Sequence, residues 1–344
     1  MKSLKRSNSM AKVAINGLGR IGRAALHIIL DTPELELAAI NDLIPPENLA
    51  YLLRYDTVYG RSPHLIEVGD SNLIIDGSGY PVLGIKDPTQ LPWGDFQIDI
   101  VLECTGVFRK IQDLRKHLQA GARSVILSAP SKSPEMVTIV HGVNDPRESD
   151  TPIISCASCT TNSIAPVFEV MARRIGVKKA LMTTIHAYTS TQGIVDGPSS
   201  KFRRGRAAAA NIVPTSTGAA EATTKALPRF EGRFDGVAVR VPVPVGSISD
   251  VTFLTEKKTS AEEVNTVFRE ETESERYRGI LGVTESEIVS SDIIRDPRAS
   301  IVDLSMTRVV DGDLVKVMTW YDNEWGYSAQ MIREARRMAV KKTG

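Results

Sequence analysis

The chain has 344 residues, 42% of them hydrophobic, with 42 Lys and Arg against 41 Asp and Glu. That length suits two domains, each with a core of its own. The balanced charge excludes dedicated binding to nucleic acid or to a membrane surface, which needs a strong basic excess. Three cysteines, Cys104, Cys156 and Cys159, exclude a disulfide scaffold and suit a reducing cytoplasm.

The first ten residues, MKSLKRSNSM, carry three cations but no apolar signal segment, and read as an extension ahead of a start near Met10. Residues 12–16 form an expected short strand, followed by a glycine turn and a helix through Leu30. A second strand, 35–40, ends in Asn41-Asp42. Residues 99–104 (DIVLEC) and 124–127 (SVIL) are compact apolar runs flanked by Gly and Pro, the pattern of buried parallel strands. This alternation predicts an α/β fold with a doubly wound Rossmann sheet. The stretch without Asp, Glu, Lys or Arg at 151–168 is too rich in Ser, Thr and Pro to span a membrane.

Beyond about residue 175 the pattern changes. Residues 180–185, 236–243 and 248–255 read as longer strands, and 260–273 as a helix opening with the capping box Ser260 and Glu263. Residues 301–309 and 314–320 flank Asp311-Gly312-Asp313, a hairpin signal. The expectation is a second, mixed-sheet α+β domain. Residues 325–342 form a final amphipathic helix with Arg333, Arg336 and Arg337 toward its end.

Asn16-Gly17-Leu18-Gly19-Arg20-Ile21-Gly22 holds a GxGxxG pattern between strand and helix. Gly17 permits the tight turn, Gly19 lets the backbone approach a pyrophosphate, and Gly22 allows close helix–strand packing. The helix N-terminus offers free N–H groups to the anion. Asp42, 20 residues beyond Gly22, stands where a carboxylate binds ribose hydroxyls. The same carboxylate repels a 2′-phosphate, so NAD is expected over NADP.

Cys159, in SCASCTTN, follows a strand-like run at 152–155 and opens an apolar helix, where the dipole and free N–H groups lower a thiol pKa. The CxxC spacing with Cys156 also raises a redox dithiol or a structural zinc site. Zinc lacks a second ligand pair, since Cys104 is isolated in an apolar run and the histidines are scattered. Among His27, His64, His117, His141 and His186, only His186 closes a strand and opens a long polar loop, which makes it the candidate partner of the thiol. His27 and His117 fall in helical stretches and His64 in a turn. The loop 188–210 carries Thr189, Thr191, Arg203, Arg204 and Arg206; Thr217-Gly218 follows, and Arg240 lies in the strand run GVAVRV. Arginine suits phosphate through paired, charge-assisted hydrogen bonds. The competing reading of RRGR is a solvated loop or an intersubunit ion-pair surface. The basic stretches 109–117 and 333–342 read as ordinary helix faces.

NGLGRIGR, ASCTTN, the stretch from HAYTSTQ through DGPS, PTSTGAA and WYDNEWGYS together resemble the phosphorylating, NAD-dependent glyceraldehyde-3-phosphate dehydrogenase family, in order from about Ala11 to the C-terminus. The resemblance implies an NAD-binding domain of residues 1–158 and 323–344, with the last helix returning to it, and a catalytic domain of 159–322. It also implies a cytoplasmic homotetramer that oxidises glyceraldehyde 3-phosphate with inorganic phosphate to 1,3-bisphosphoglycerate in glycolysis or gluconeogenesis. By position, Cys159 is then the nucleophile and His186 its partner. Arg20, Ile21, Asp42, Thr105, Ser128 and Asn323 contact NAD, Asn323 through the nicotinamide carboxamide, and Leu43 and Pro198 resemble the NAD-specific branch. Thr189, Thr191 and Arg240 bind the substrate phosphate; Ser158, Thr160, Thr217, Gly218 and Arg204 bind inorganic phosphate.

The chain departs from the family where Cys156 replaces the usual Asn, where Ser163 replaces a frequent cysteine, and in VPVPVGSISDVTF. Cys156 could join Cys159 in a disulfide under oxidation. The rival readings are an erythrose-4-phosphate dehydrogenase, which typically lacks the threonine pair, a semialdehyde dehydrogenase, and a nucleotide-binding regulatory or RNA-binding protein of the same fold.

Overall fold

The computed structural model describes residues 10–144 and 151–340, so the extension before Met10 and the end of the expected 325–342 helix lie outside the described residues. Two compact units result: of the described residues, 10–137, 151–155 and 331–340 form the first, and 138–144 and 156–330 the second.

In the first unit, β1 (Ala11–Asn16), α1 (Arg20–Leu30) and β2 (Leu35–Asn41) follow the expected order, and α2 (Pro46–Arg54) leads to a small ribbon, β3 (Tyr55–Asp56) and β4 (Gly60–Arg61). An antiparallel meander of β5 (Ile66–Val68), β6 (Asn72–Ile75) and β7 (Ser78–Leu83) precedes β8 (Ile100–Glu103), α3 (Ile111–Gln119), β9 (Ser124–Leu127) and β10 (Ile153–Ser155). The eight-stranded sheet has the order β10-β9-β8-β1-β2-β7-β6-β5 and is parallel from β10 to β7. The chain reverses its direction of strand addition at β1, so the carboxyl ends of β1 and β8 flank the crevice where such sheets bind ligands. β8 and β9 are buried along their length and β1 at all but Lys12, which fits their largely apolar sequence. Ala14, Val101, Val125 and Leu127 pack with Trp93, Leu114 and Ile153 in one core.

The second unit centres on α4 (Cys159–Val170), which is buried from Thr160 to Val170. Around it lie β11 (Val177–Ala187), β12 (Val213–Ser216), α5 (Ala219–Ala226), β13 (Phe234–Val241), β14 (Ser247–Thr255), α6 (Ala261–Glu273), β15 (Leu281–Thr284), β16 (Ser300–Val310) and β17 (Leu314–Tyr321). They make a seven-stranded mixed sheet in the order β12-β13-β11-β14-β17-β16-β15. Phe168 of α4 anchors the core, with ring centroids 4.6, 4.8 and 5.3 Å from Phe230, Phe234 and Phe253. The Ser260 side chain accepts from Glu263 N, as the capping box requires, while the Glu263 carboxylate accepts from Thr259 Oγ1. Asp311 and Gly312 turn the β16–β17 hairpin with φ of 47° and 77°. The final helix, α7 (Trp325–Val340), carries the unit boundary after Gln330. Among the described residues no helix is long and apolar enough to cross a membrane.

Candidate active site

β1 delivers the glycine turn. Gly17 has φ of +94°, and a Cβ there would sit 2.7 Å from Thr105 N; one on Gly22 would sit 2.1 Å from Gly17 O. Both positions therefore require glycine for packing. A Cβ on Gly19, the N-cap of α1, meets nothing within 4 Å, so its backbone is open to a bulky anion. Asp42, at the end of β2, accepts hydrogen bonds from Leu18 N at 2.6 Å and from Ile44 N at 2.9 Å. Gly17, Gly19 and Asp42 line one cavity of about 910 Å³, together with Leu43, Thr105, Ile85, Phe108 and Lys116. Its size and mixed lining suit a nucleotide.

Other expected cofactor residues lie elsewhere. Arg20 forms an ion pair with Asp56 and stands over the Tyr59 ring, so its guanidinium is engaged beside the turn. Ile21, Gly22 and Ser128 are not among the cavity's lining residues. Ser128 hydrogen-bonds the Cys104 thiol, which desolvation pushes up to about 12; Cys104 is not the core cysteine its apolar run suggested, since it is part-buried and lines the cavity. Asn323 belongs to the second unit, where its Oδ1 accepts from Gly246 N and Ser247 Oγ. Sequence reasoning missed Ile85, which the meander brings to the cavity, and Phe108 and Lys116, before and in a helix that read as an ordinary surface face.

Cys159 is the first residue of α4, capped by Ser158, whose Oγ accepts from Thr161 N. Ala157 precedes it with φ of +56°, a left-handed conformation that turns the chain into the helix. The Cys159 Sγ lies 3.4 Å from Nε2 of His186, on β11. His186 and Arg240 are register partners on the parallel strands β11 and β13. Nδ1 of His186 is 2.7 Å from Ala187 O, and Arg240 Nη1 donates to the same carbonyl at 2.9 Å while standing 3.1 Å from Nδ1. We assign the proton to Nδ1, donating to Ala187 O, which leaves the Nε2 lone pair facing the thiol.

Burial, reinforced by Arg240, pushes His186 down to about 3, so the ring is neutral at physiological pH. Burial also raises the Cys159 thiol, against the pull of Arg240 and of the Thr160 backbone N–H. This corrects the expectation of a lowered thiol pKa: the helix terminus acts in the expected direction, but desolvation outweighs it. The resting pair is a neutral thiol facing a neutral base.

The anion residues form connected groups. Thr189 and Thr191 place their hydroxyls 2.9 Å apart, and Arg204 reaches Thr191 Oγ1, Thr215 Oγ1 and Ser216 O. Arg204 is close enough for its charge to act on both His186 and Arg240. Burial lowers the pKa of both guanidiniums, and Arg240 Nε is buried without a hydrogen-bond partner among the described residues. Such orphaned cationic donors favour an arriving anion. Thr217 and Gly218 cap α5, presenting its N-terminus. Of the expected hydroxyls, Ser158 Oγ accepts in the α4 cap and keeps its O–H to donate, whereas Thr160 Oγ1 bonds the buried Tyr321 hydroxyl at 3.0 Å. Sequence reasoning missed Tyr321, whose hydroxyl also bonds Thr184 and whose ring meets the His186 ring edge-on. It also missed Gln192, buried beside Thr191 with both amide atoms unpartnered among the described residues.

Comparison with known proteins agrees with both halves of this geometry. Residues 11–111 match the family model described as glyceraldehyde 3-phosphate dehydrogenase, NAD binding domain, and residues 158–323 the model of its C-terminal domain. The chain is 47% identical over 337 residues, 96% of its length and 97% of the relative's, to glyceraldehyde-3-phosphate dehydrogenase 1 of Nostoc sp.. It is 49% identical over 326 residues to the glyceraldehyde-3-phosphate dehydrogenase of Thermotoga maritima, covering 94% of this chain and 97% of that one. To that of Streptomyces coelicolor it is 44% identical over 324 residues, 93% and 96% of the two chains. The chain therefore belongs to the glyceraldehyde-3-phosphate dehydrogenase family, whose members are NAD-dependent oxidoreductases.

Proposed function

We propose that the chain catalyses the phosphorylating oxidation of glyceraldehyde 3-phosphate, with Cys159 as nucleophile and His186 as base. The observation that carries this reading is the Sγ–Nε2 distance of 3.4 Å, with Arg240 behind the imidazole. His186 Nε2 takes the thiol proton as Sγ adds to the aldehyde carbon, and returns it to the new oxygen. It takes that hydroxyl proton again as the carbon is oxidised, leaving a thioester on Cys159. Proton transfer of this kind contributes about 10²–10⁴-fold. The Cys159 backbone N–H, at the start of α4, and His186 stabilise the oxyanion. Inorganic phosphate then attacks the thioester carbon, expelling the Cys159 thiolate and forming the acyl phosphate. Thr189, Thr191 and Arg240 hold the substrate phosphate. Arg204, the α5 terminus at Thr217 and Gly218, Ser158 and the Thr160 backbone N–H receive inorganic phosphate.

NAD, when bound, accepts the hydride from the substrate carbon. The turn of Gly17, Gly19 and Gly22 with Asp42, Leu43 and Thr105 would hold it, and Asp42 favours it over NADP. Roles for Arg20, Ile21 and Ser128, and for Asn323 on the nicotinamide carboxamide, rest on the sequence resemblance. So do the boundaries 1–158 with 323–344 and 159–322, and a cytoplasmic homotetramer. For the tetramer there is one physical support: Ile194, Val195, Phe202 and Ile212 in the loop after β11 are each at least 70% exposed, as surfaces covered by other copies are. Initial rates of NADH formation with glyceraldehyde 3-phosphate, beside erythrose 4-phosphate, test the substrate assignment. Phosphate-dependent turnover of the triose is expected. Faster turnover of erythrose 4-phosphate, or phosphate independence, would overturn it.

A further inference from the structure

A chain of buried side chains, Asn41, Asn16, Glu103, His117 and Trp93, runs from the lining of the cofactor cavity into the core, and its members are fixed by groups that cannot reverse their roles. At one end, Asn41 is clamped by the backbone of Ile85: Ile85 N donates to Oδ1 at 2.9 Å, and Nδ2 donates to Ile85 O at 2.9 Å. Asn41 Nδ2 therefore donates to Asn16 Oδ1 at 2.7 Å, which turns Asn16 Nδ2 toward Glu103 Oε2 at 2.5 Å. At the other end, the indole of Trp93 can only donate, and it donates to His117 Nδ1 at 3.0 Å. The proton of neutral His117 thus sits on Nε2 and points at Glu103 Oε2, 3.1 Å away. Thr105 N donates to Oε1 at 2.9 Å, and the Thr105 hydroxyl bonds the same oxygen.

Glu103 and His117 are both 0% exposed, and Glu103 has no cationic ion-pair partner among the described residues. Its carboxylate is held by four donors and by dipoles alone. Two of its partners, Asn16 and Thr105, line the cofactor cavity, and Thr105 N is also the atom against which Gly17 packs. This corrects the sequence reading of residues 109–117 as an ordinary helix face: His117 points into the core.

We propose that Glu103, locked by His117 and Trp93, is the positioning residue of the cofactor turn. It holds the carboxyl ends of β1 and β8, through Asn16 and Thr105, at the separation that the pyrophosphate-binding turn requires. A glutamine at 103 has one acceptor oxygen and one donor nitrogen, so its NH₂ group faces either two fixed donors, Asn16 Nδ2 and His117 Nε2, or the fixed Thr105 N–H beside a hydroxyl that can turn to accept. Burying such mismatches is costly, and the strain falls on the lip of the cavity. The inference deepens the reading that this unit binds NAD and rests on it.

The test is NAD binding by calorimetry, with initial rates, for the wild type, Glu103→Gln, His117→Phe and His117→Gln. Glu103→Gln is expected to raise Kd and KM for NAD by on the order of 10–100-fold, with kcat, the KM for aldehyde and Cys159 alkylation close to wild type. His117→Phe fills the space without the donor and is expected to weaken NAD binding. His117→Gln, which restores a donor toward Glu103, is expected to recover much of the loss, so the histidine pair carries the test even if Glu103→Gln fails to fold. An NAD affinity within twofold of wild type in the soluble variants would overturn the proposal. So would a parallel fall in kcat and alkylation with no recovery by His117→Gln, which marks a purely structural role. A wild type that binds no NAD would remove the underlying reading instead.

Discussion

Replacing Arg240 by leucine removes a guanidinium whose Nη1 lies 3.1 Å from His186 Nδ1. At that separation a unit charge acts on an imidazolium with about 1 kcal/mol at a water-like dielectric and about 5 kcal/mol at an effective dielectric near 20. His186, held at about 3 by burial and then by Arg240, should therefore rise by at least about one pKa unit. The thiol should move the same way, because Arg240 opposes the burial that raises it. A tenfold loss of thiolate near pH 7.5 is partly offset by the greater nucleophilicity of a more basic sulfur, so alkylation should slow by roughly three- to fourfold. The assay is the rate of iodoacetamide modification of Cys159 between pH 6 and 9, followed by mass. Arg240→Lys keeps the charge but not the paired donors, so it should retain most of the alkylation rate while the KM for the phosphorylated aldehyde rises. A leucine variant modified at the wild-type rate across that range would refute the electrostatic role of Arg240.

The two motif glycines should separate packing from binding. Gly22→Ala places a Cβ 2.1 Å from the Gly17 carbonyl and should destabilise the fold by roughly 2–4 kcal/mol in thermal unfolding. Gly19→Ala meets nothing within 4 Å and should leave unfolding unchanged while weakening NAD titration. Asp42→Ser should raise the NADP-to-NAD ratio of kcat/KM by on the order of 10–100-fold, since a carboxylate no longer faces the 2′-phosphate; an unchanged ratio would count against the role of Asp42. His186 sits at about 3 when folded, against its ordinary value near 6.5, so below pH 6.5 the unfolded chain takes up a proton that the folded chain refuses. Its contribution is complete above pH 6.5 and falls toward pH 3, by on the order of a few kcal/mol. Urea unfolding at pH 7 and 4.5 should show a shallower acid loss in His186→Gln.

The parts of the molecule set by local chemistry were legible in the sequence. The glycine turn, Asp42 at the end of β2 and the start of α4 at Cys159 each follow from residue types at fixed spacing. So does the β16–β17 hairpin with its Asp-Gly turn. The meander of β5 to β7 was not legible, because its short runs carry no clean period of 2; helix α2 has an apolar stripe at Leu49, Ala50 and Leu53, but its nine residues are too few to stand out. Contacts made by strand pairing were equally hidden. Arg240 meets His186 only because β11 and β13 pair in parallel at that register, 54 residues apart in sequence. His117 looked like one more polar residue on a helix, and only the fold shows it facing Glu103. Thr160 carried a phosphate-site expectation, yet packing against β17 turns its hydroxyl to Tyr321. The thiol pKa went the other way from expectation because burial, which sequence does not report, outweighs the helix terminus.

The most direct test of Cys159 as nucleophile is a single turnover without inorganic phosphate. Protein, NAD and glyceraldehyde 3-phosphate are mixed rapidly, NADH is followed by absorbance, and the quenched chain is mapped by mass spectrometry. The expected result is a burst approaching one NADH per chain, an acyl group on Cys159, and its release when phosphate is added, with no burst from Cys159→Ser. A full burst from Cys159→Ser, or an acyl group on any other residue, would contradict the assignment.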